Sequence, residues 1–243
     1  MNPPDVVDDL EAEQDRLEAL LSKLSAGQWT EPSAAAGWSV ADVVLHLAQT
    51  EEAVSAAFAG TTLNWAEYGD SVDAAMDALV GSQPAPPGEI FDRWRGARRA
   101  SVAALRAADP QRPVRWVAAT LRPRTLATTR LAEHWAHALD VATPLGLDYP
   151  DTMRLRHIAW LGHSTLPYAF GVAGEPAPEV FADLRAPDGS AWRFGDPAAP
   201  SSISGPAGAF CRVGARRLTP AASGLITTGP YGDTALRLLR TYA

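Results

Sequence analysis

Cysteine is nearly missing from this chain of 243 residues, since Cys211 is the single one. One thiol cannot form an intrachain disulfide, and it cannot build a structural zinc site from cysteines, so both are excluded. Long apolar runs are missing as well, because none reaches the roughly 18 residues that span a bilayer. Residues 1–5 lack the basic and apolar segments of a secretory signal. We therefore expect a cytoplasmic protein that does not bind a membrane.

Positive charge is scarce in the first third of the chain. Residues 1–83 hold 15 acidic and 2 basic residues, whereas residues 84–243 hold 13 acidic and 19 basic ones, for a net charge of −7. This balance argues against nucleic-acid binding, because the phosphate backbone rewards a basic surface. The uneven distribution predicts contact between the two parts. Binding of a small anion by the later part is the alternative.

The spacing of apolar residues predicts helices throughout the first half. They are expected over residues 5–24, 39–59, 64–80, 89–108 and 125–144. Ser39 followed by Asp42 has the form of a capping box, so the second helix should begin there. Residues 109–124 have the character of a loop. The four long helices predict a four-helix bundle, in a domain that covers residues 1–150.

The second half changes character after residue 150. The pattern predicts a helix over 151–170, a β-hairpin with strands over 180–185 and 190–194, and helices over 206–215 and 233–242. These elements would form a linker helix and a small α+β domain over residues 151–243. The predicted class is α+β, with an N-terminal four-helix bundle followed by this domain. We interpret the tryptophans as packing residues, including Trp38, Trp65, Trp94, Trp116 and Trp160.

The helix predicted over 125–144 carries a narrow polar stripe on an apolar background. Its members are Arg130, Glu133, His137 and Asp140. Glu133 and His137 stand four residues apart, so their side chains leave the helix on one face. A carboxylate and an imidazole at this spacing can bind one divalent metal ion. The alternative is a solvated strip that contains an Arg130–Glu133 ion pair.

His46, on the second helix, could supply a third ligand. Its neighbours on the helix surface, Ala53 and Ala57, are small and would let another helix approach. Two imidazoles and one carboxylate leave a coordination position open, which is typical of catalytic rather than structural zinc. The alternative is a histidine at the edge of the core, hydrogen-bonded to backbone. His134 points away from Glu133 and is not expected to share the metal.

Several motifs resemble the mycothiol-dependent maleylpyruvate isomerase family, which belongs to the DinB-like metal-binding helix bundles. They are GWSVADVVLHLA at 37–48 and LAEHWAHALDV at 131–141. In addition, PDGSAWRFG at 187–195, ISGPA at 203–207 and FCRV at 210–213 resemble the sterol-carrier-like C-terminal domain that accompanies this bundle in actinobacterial proteins. The resemblance implies that His46, Glu133 and His137 are metal ligands.

The resemblance also implies an enzyme. A divalent metal, with zinc favoured by the ligand types, would activate a low-molecular-weight thiol (mycothiol) for isomerisation of a small electrophilic substrate or for transfer to it. We expect Arg130, Asp140 and Arg212 to be the catalytic residues. Arg122 and Arg124 are further candidates for holding carboxylates. The expected partners are therefore a small-molecule substrate and a small thiol.

Two other functions stay open at this point. One is a thiol-independent, metal-dependent hydrolase or biosynthetic isomerase, in which Asp140 or Glu51 transfers protons. The other is a non-catalytic protein that binds a metal or, through its C-terminal domain, a lipid. The fold alone cannot separate these alternatives, because one fold hosts several chemistries.

Overall fold

The computed structural model describes residues 5–61, 69–117 and 119–241. The chain divides into two compact units, Met1–Tyr149 and Pro150–Ala243. The first is built on helices and the second combines helices with a sheet, which confirms the predicted α+β class. Within the described ranges, no helix has both the length and the apolar character that a membrane span needs.

The first unit is a four-helix bundle with additions. Its elements are α1 (Val6–Leu21), α2 (Val40–Phe58), α3 (Val72–Gly81), α4 (Pro87–Ala107), β1 (Val114–Trp116), β2 (Ala119–Leu121) and α5 (Pro123–Ala142). Helices α1 and α2 each pack against both α4 and α5. The consecutive helices α1 and α2 therefore lie at opposite corners of the bundle, and α3 packs against α2.

The start of α2 follows the predicted capping box. The Ser39 amide donates to Asp42 Oδ2 at 2.9 Å, and the Asp42 amide donates to Ser39 Oγ at 3.2 Å. Helix α1 likewise begins after Asp5, whose side chain accepts from the Val7 amide at 2.9 Å. These caps satisfy amide groups that the first turn of a helix leaves without partners. Helix α1 ends at Leu21, three residues before the predicted end.

Two predictions for the first unit need correction. The segment 109–124, predicted to be a loop, contains the antiparallel hairpin β1–β2. Strands of three residues are too short to show alternation, so the apolar pattern gave no signal. In the described part of the helix predicted over 64–80, residues 69–71 are not helical, and α3 begins at Val72 after the cap Ser71. Residues 64–68 of the predicted helix, among them Trp65, lie outside the described residues.

Opposite charges meet inside the first unit. Arg98 of α4 is buried and binds Asp15 and Glu18 of α1. On the surface, Arg93 of α4 forms two hydrogen bonds to Glu52 of α2, at 2.7 and 2.8 Å. The predicted contact between the acidic and basic parts of the chain is thus confirmed for α4. Exposed pairs of this kind contribute roughly 0–1 kcal/mol each, so they add specificity more than stability.

The second unit contains a four-stranded sheet with strand order β4-β3-β5-β6. Its elements are α6 (Leu155–Ser164), α7 (Leu166–Val172), β3 (Val180–Arg185), β4 (Ala191–Phe194), β5 (Ser201–Pro206), α8 (Ala207–Gly214), β6 (Ile226–Thr228) and α9 (Gly232–Leu238). The predicted hairpin is confirmed, because β3 pairs antiparallel with β4. Strand β5 runs parallel to β3, and neither β5 nor β6 was predicted.

The helices of the second unit differ in their limits from the prediction. The helix expected over 151–170 is two helices, α6 and α7, that meet at Thr165. Pro167 follows this junction, where its missing N–H costs no helical hydrogen bond. Helix α8 begins at Ala207, and Pro206 is its cap rather than its first residue. Helix α9 ends at Leu238, before the predicted end at 242, which lies outside the described residues.

Candidate metal centre

Three side chains from two helices of the first unit converge on one point. His46 of α2 and Glu133 and His137 of α5 each offer one ligand atom, and these atoms lie within 4.8 Å of one another. Glu133 Oε2 is 3.7 Å from Nε2 of His46 and 3.4 Å from Nε2 of His137. Both histidines are buried, whereas 27% of the Glu133 side chain is exposed. The cluster can therefore be reached from solvent.

The donor set fits a divalent metal ion. Nitrogen and oxygen ligands at about 2.0–2.1 Å from a tetrahedral ion lie about 3.3 Å apart. The two separations at Glu133, 3.4 and 3.7 Å, are slightly larger than this value. Within the described ranges, His46 Nδ1 is buried without a hydrogen-bond partner. Its ring is therefore not held by backbone, as the alternative interpretation of His46 required, and its Nε2 faces the cluster.

Asp140 orients His137. The Asp140 carboxylate is 1% exposed, and its Oδ2 lies 2.9 Å from His137 Nδ1. A proton on Nδ1, donated to this oxygen, leaves the lone pair of Nε2 directed at Glu133. Carboxylate–imidazole–metal arrangements of this kind fix the tautomer and raise the basicity of the ligand. In this structure Asp140 therefore contacts a candidate ligand, one turn along the same helix.

The indole of Trp38 covers both imidazoles. Its ring centroid lies 5.0 Å from that of His46 and 6.3 Å from that of His137. Trp38 Nε1 donates to Asp77 Oδ1 of α3 at 2.8 Å, which fixes the plane of the indole. The residue that we expected only to pack thus also limits the side from which a ligand can approach the cluster.

The ionisable groups of the cluster have shifted pKa values. Burial lowers the pKa of His46 to about 4. Burial also acts to lower the pKa of His137, but the contacts with Asp140 and Glu133 outweigh it and leave that pKa above its ordinary value. Burial acts to raise the pKa of Glu133, whereas the imidazoles of His137 and His46 hold it well below its usual range. At neutral pH, Glu133 is an anion and His46 is neutral, as metal ligands must be.

Arg130 does not pair with Glu133, although the two lie three residues apart on α5. Its Nε donates to Glu51 Oε1 of α2 at 2.7 Å, and its Nη2 donates to Thr50 Oγ1 at 2.7 Å. Arg130 is 2% exposed and Glu51 is fully buried. The polar stripe of α5 is therefore not a solvent-exposed surface, because Arg130 lies in the interior of the bundle.

His134 lies beside the cluster in sequence but belongs to a different network. Its Nδ1 donates to the carbonyl of Arg130 at 2.9 Å, so its Nε2 is the acceptor for Trp94 Nε1 at 3.3 Å and Gln14 Nε2 at 3.4 Å. The ring is completely buried, and burial lowers its pKa to about 4. His134 is thus a neutral core residue and, as expected, is not a member of the three-residue cluster.

The remaining candidate arginines are Arg212, Arg122 and Arg124. Arg212 is on α8 in the second unit, where its Nη1 and Nη2 each donate to Asp151 at 2.8 Å. Gly208 allows this contact, because a Cβ there would stand 1.8 Å from Asp151 Oδ2. Arg122 and Arg124 are exposed at the start of α5. A catalytic role for any of these arginines stays a prediction.

Family membership follows from comparison with known sequences. A family model described as the mycothiol maleylpyruvate isomerase N-terminal domain matches residues 10–142, which include both helices of the cluster. The chain belongs to this isomerase family. Two curated proteins of Mycobacterium tuberculosis, from strains CDC 1551 / Oshkosh and ATCC 25618 / H37Rv, are each 36% identical to it over 216 residues. These alignments cover 86% of this chain and 84% of each relative, and both relatives are described as uncharacterized.

Two crystal structures show that the chain has the isomerase fold. The mycothiol-dependent maleylpyruvate isomerase aligns with a TM-score of 0.63 at 18% identity, and a histidine-to-alanine mutant of it aligns with 0.62 at 17%. Each alignment covers 93% of this chain and 94% of the other. The family model confirms the sequence resemblance to the isomerase family, and these structures confirm the fold.

Sequence reasoning gave too little weight to the residues that surround the cluster. Glu51 was considered only as a proton-transfer group, and Thr50 and Ser101 were not considered. A signal for Glu51 was present, because it lies four residues after Leu47 and three before Val54, both in the apolar stripe of α2. A carboxylate at such a position is rarely buried without a partner. The sequence does not show which arginine that partner is.

Proposed function

We propose that this protein is a metal-dependent enzyme of the maleylpyruvate isomerase type. His46, Glu133 and His137 would hold one divalent ion, with Zn²⁺ favoured by the ligand types. The observation that carries the proposal is the convergence of these three ligand atoms within 4.8 Å of one another. A low-molecular-weight thiol of the mycothiol type would be the cosubstrate, and a small electrophile would be isomerised by it or conjugated to it.

The bound metal would supply one chemical effect, which is to lower the pKa of a coordinating thiol so that it is a thiolate at neutral pH. The protein's own residues prepare the site for this step. Asp140 holds the His137 ring so that Nε2 faces the cluster, and Glu133 contributes the negative charge of the ligand set. Trp38 covers one side of the two imidazoles. A ligand therefore approaches from the side where Glu133 is exposed.

The thiol has to come from outside the chain. Cys211 is the one cysteine, is completely buried in the second unit and has its pKa raised by that burial. Its Sγ lies 3.7 Å from the Leu155 carbonyl, to which it donates. A thiol in this setting neither forms a thiolate nor reaches a substrate.

Thiol binding that depends on metal is the direct test of the proposal. We expect mycothiol to release heat in calorimetry and to raise the melting temperature of the zinc-loaded protein. At a concentration 100 times its Kd, a ligand adds about 2.7 kcal/mol to the free energy of unfolding. Treatment with a chelator should abolish both effects.

The possible outcomes separate the candidate functions. If the zinc-loaded protein gives no heat and no thermal shift with saturating mycothiol, the thiol proposal is wrong and a thiol-independent metal enzyme remains. If metal analysis of the reconstituted protein finds no divalent ion, both enzyme proposals fail. The protein would then be a non-catalytic one.

Metal affinity should also depend on pH. The pKa of His137 lies above its ordinary value, so a proton competes with the metal for Nε2 on the acidic side of that raised pKa. We expect zinc affinity to fall about tenfold per pH unit there, because one proton is displaced. His46, with a pKa of about 4, adds nothing until much lower pH. Chelator competition at a series of pH values measures this, and a flat profile would contradict the protonation states that we assign.

A further inference from the structure

Arg130 and Glu133 stand close together on α5, yet the side chain of Arg130 pairs with a different carboxylate. An arginine and a glutamate three residues apart on one helix usually attract each other. An ion pair between them would occupy the carboxylate that the metal site needs. In the structure Arg130 instead binds Glu51 and Thr50 of α2, and Glu133 faces the two histidines.

We propose that Glu51 is a positioning residue, which holds Arg130 away from Glu133 and so keeps the Glu133 carboxylate available to the metal. This inference rests on the metal site of the proposed function, and it concerns residues that do not themselves ligate the metal. Glu51 would act through Arg130 alone.

The hydrogen bonds of Glu51 show that it is built into the bundle. Its Oε1 accepts from Arg130 Nε at 2.7 Å, and its Oε2 accepts from the hydroxyl of Ser101 on α4. Glu51 and Ser101 are fully buried. A buried ion pair has a large desolvation cost and contributes little net stability. A contribution to stability is therefore a weak explanation for the buried Glu51–Arg130 ion pair. A role in placing the charge of Arg130 is a stronger one.

Two further contacts hold the guanidinium of Arg130. Thr50 Oγ1 accepts from Nη2 at 2.7 Å, and the same hydroxyl lies 2.9 Å from the carbonyl of His46, to which it can donate. The ring of Trp116, on strand β1, has its centroid 5.8 Å from the guanidinium carbon. The anchor of Arg130 is thus connected directly to the backbone of a candidate ligand.

Arg130 nevertheless acts on Glu133 through its charge. Burial acts to raise the pKa of Glu133; the two imidazoles outweigh it and lower this pKa, and the positive charge of Arg130 lowers it further by a smaller amount. Arg130 thus favours the anionic form of Glu133, while its Nε and Nη2 donate to Glu51 and Thr50. If the anchor on α2 were removed, the same charge would draw the guanidinium toward the carboxylate.

The first test is the affinity for Zn²⁺, measured by competition with a chromophoric chelator. We expect Glu51→Gln to raise the Kd by about 10–100-fold, the range typical of residues that orient metal ligands. Glu52→Gln is the matched control. It removes a carboxylate from the next position of α2, where the carboxylate also binds an arginine, Arg93, but on the surface. Its Kd should equal that of the wild type.

A double variant shows whether an Arg130 that has lost its Glu51 partner causes the loss of zinc affinity. Glu51→Gln combined with Arg130→Gln removes both charges, so no arginine is left to capture Glu133. We expect this double variant to recover the zinc affinity of the Glu52→Gln control. A role of Glu51 in stability alone would leave the zinc affinity of the folded single variant unchanged, because an affinity measured well below the melting temperature does not depend on the free energy of unfolding.

The outcomes distinguish this inference from the proposed function. A wild-type protein that binds no Zn²⁺ contradicts the metal site itself. Wild-type binding with unchanged affinity in Glu51→Gln overturns the inference and leaves the metal site intact, as does a double variant as weak as the single one. If circular dichroism shows that Glu51→Gln does not fold, Glu51→Asp replaces it, because this change retains both charges but its shorter side chain withdraws the carboxylate from Arg130. A smaller loss of affinity is then expected, and no loss overturns the inference.

Discussion

Replacement of His46, Glu133 or His137 by alanine is expected to weaken zinc binding by more than about 100-fold, the upper limit for residues that only orient ligands. Each substitution removes one of the three atoms that lie within 4.8 Å of one another. Two remaining ligands cannot fix a tetrahedral ion, so the loss should be similar in all three variants. Metal content after reconstitution and chelator competition provide the measurement.

His134→Ala is the matched control for these variants. His134 is the neighbour of Glu133 and is completely buried, yet its ring bonds to Gln14, Trp94 and the carbonyl of Arg130. Its removal should lower the free energy of unfolding, because it leaves a cavity and buried polar groups without partners. The folded protein should still bind zinc as the wild type does. Equal loss of zinc in His134→Ala would mean that the metal is held by a different set of residues.

Asp140→Asn is expected to weaken zinc binding by about 10–100-fold while the fold is retained. The change keeps the size of the side chain but removes the charge that lies 2.9 Å from His137 Nδ1. Without this charge the pKa of His137 should fall, since the bond to Asp140 is one of the causes that raise it. Chelator competition gives the affinity, and the titration of His137 in metal-free protein, followed by nuclear magnetic resonance, gives the pKa.

Asp42→Asn separates this effect from general destabilisation. Asp42 belongs to the capping box at the start of α2, the helix that carries His46. Loss of a capping interaction costs about 0.5–2 kcal/mol. We expect the control to unfold at a lower temperature with normal zinc affinity. If Asp140→Asn changed only the melting temperature, as the control does, Asp140 would have no effect on His137 as a ligand.

The sequence predicted the parts of this protein that depend on local chemistry. The capping box of Ser39 and Asp42 marks the start of α2 because both hydrogen bonds are made within four residues. The spacing of Glu133 and His137 places them on one face by helix geometry alone. Joining them to His46 required a choice of which helices are neighbours. That choice came from the small residues beside His46 and from the family resemblance.

Other features depend on contacts that a single sequence does not display. Strand β5 pairs parallel to β3, a pairing across a chain crossover that leaves no local pattern. The partner of Arg130 is Glu51, 79 residues away, whereas helix spacing favoured Glu133. The hydroxyl of Ser101 completes the same network from a third helix. Long-range polar contacts of this kind are set by tertiary packing, which periodicity and capping rules do not describe.

The burial of Cys211 has a consequence for a protein that would encounter a reactive sulfur metabolite. Thiolates and disulfides exchange readily, and the rate depends on how much thiolate the protein exposes. Cys211 has no exposed surface, and its pKa is raised by burial. If the protein uses a low-molecular-weight thiol, as we propose, it can therefore meet the oxidised form of that thiol without forming a mixed disulfide.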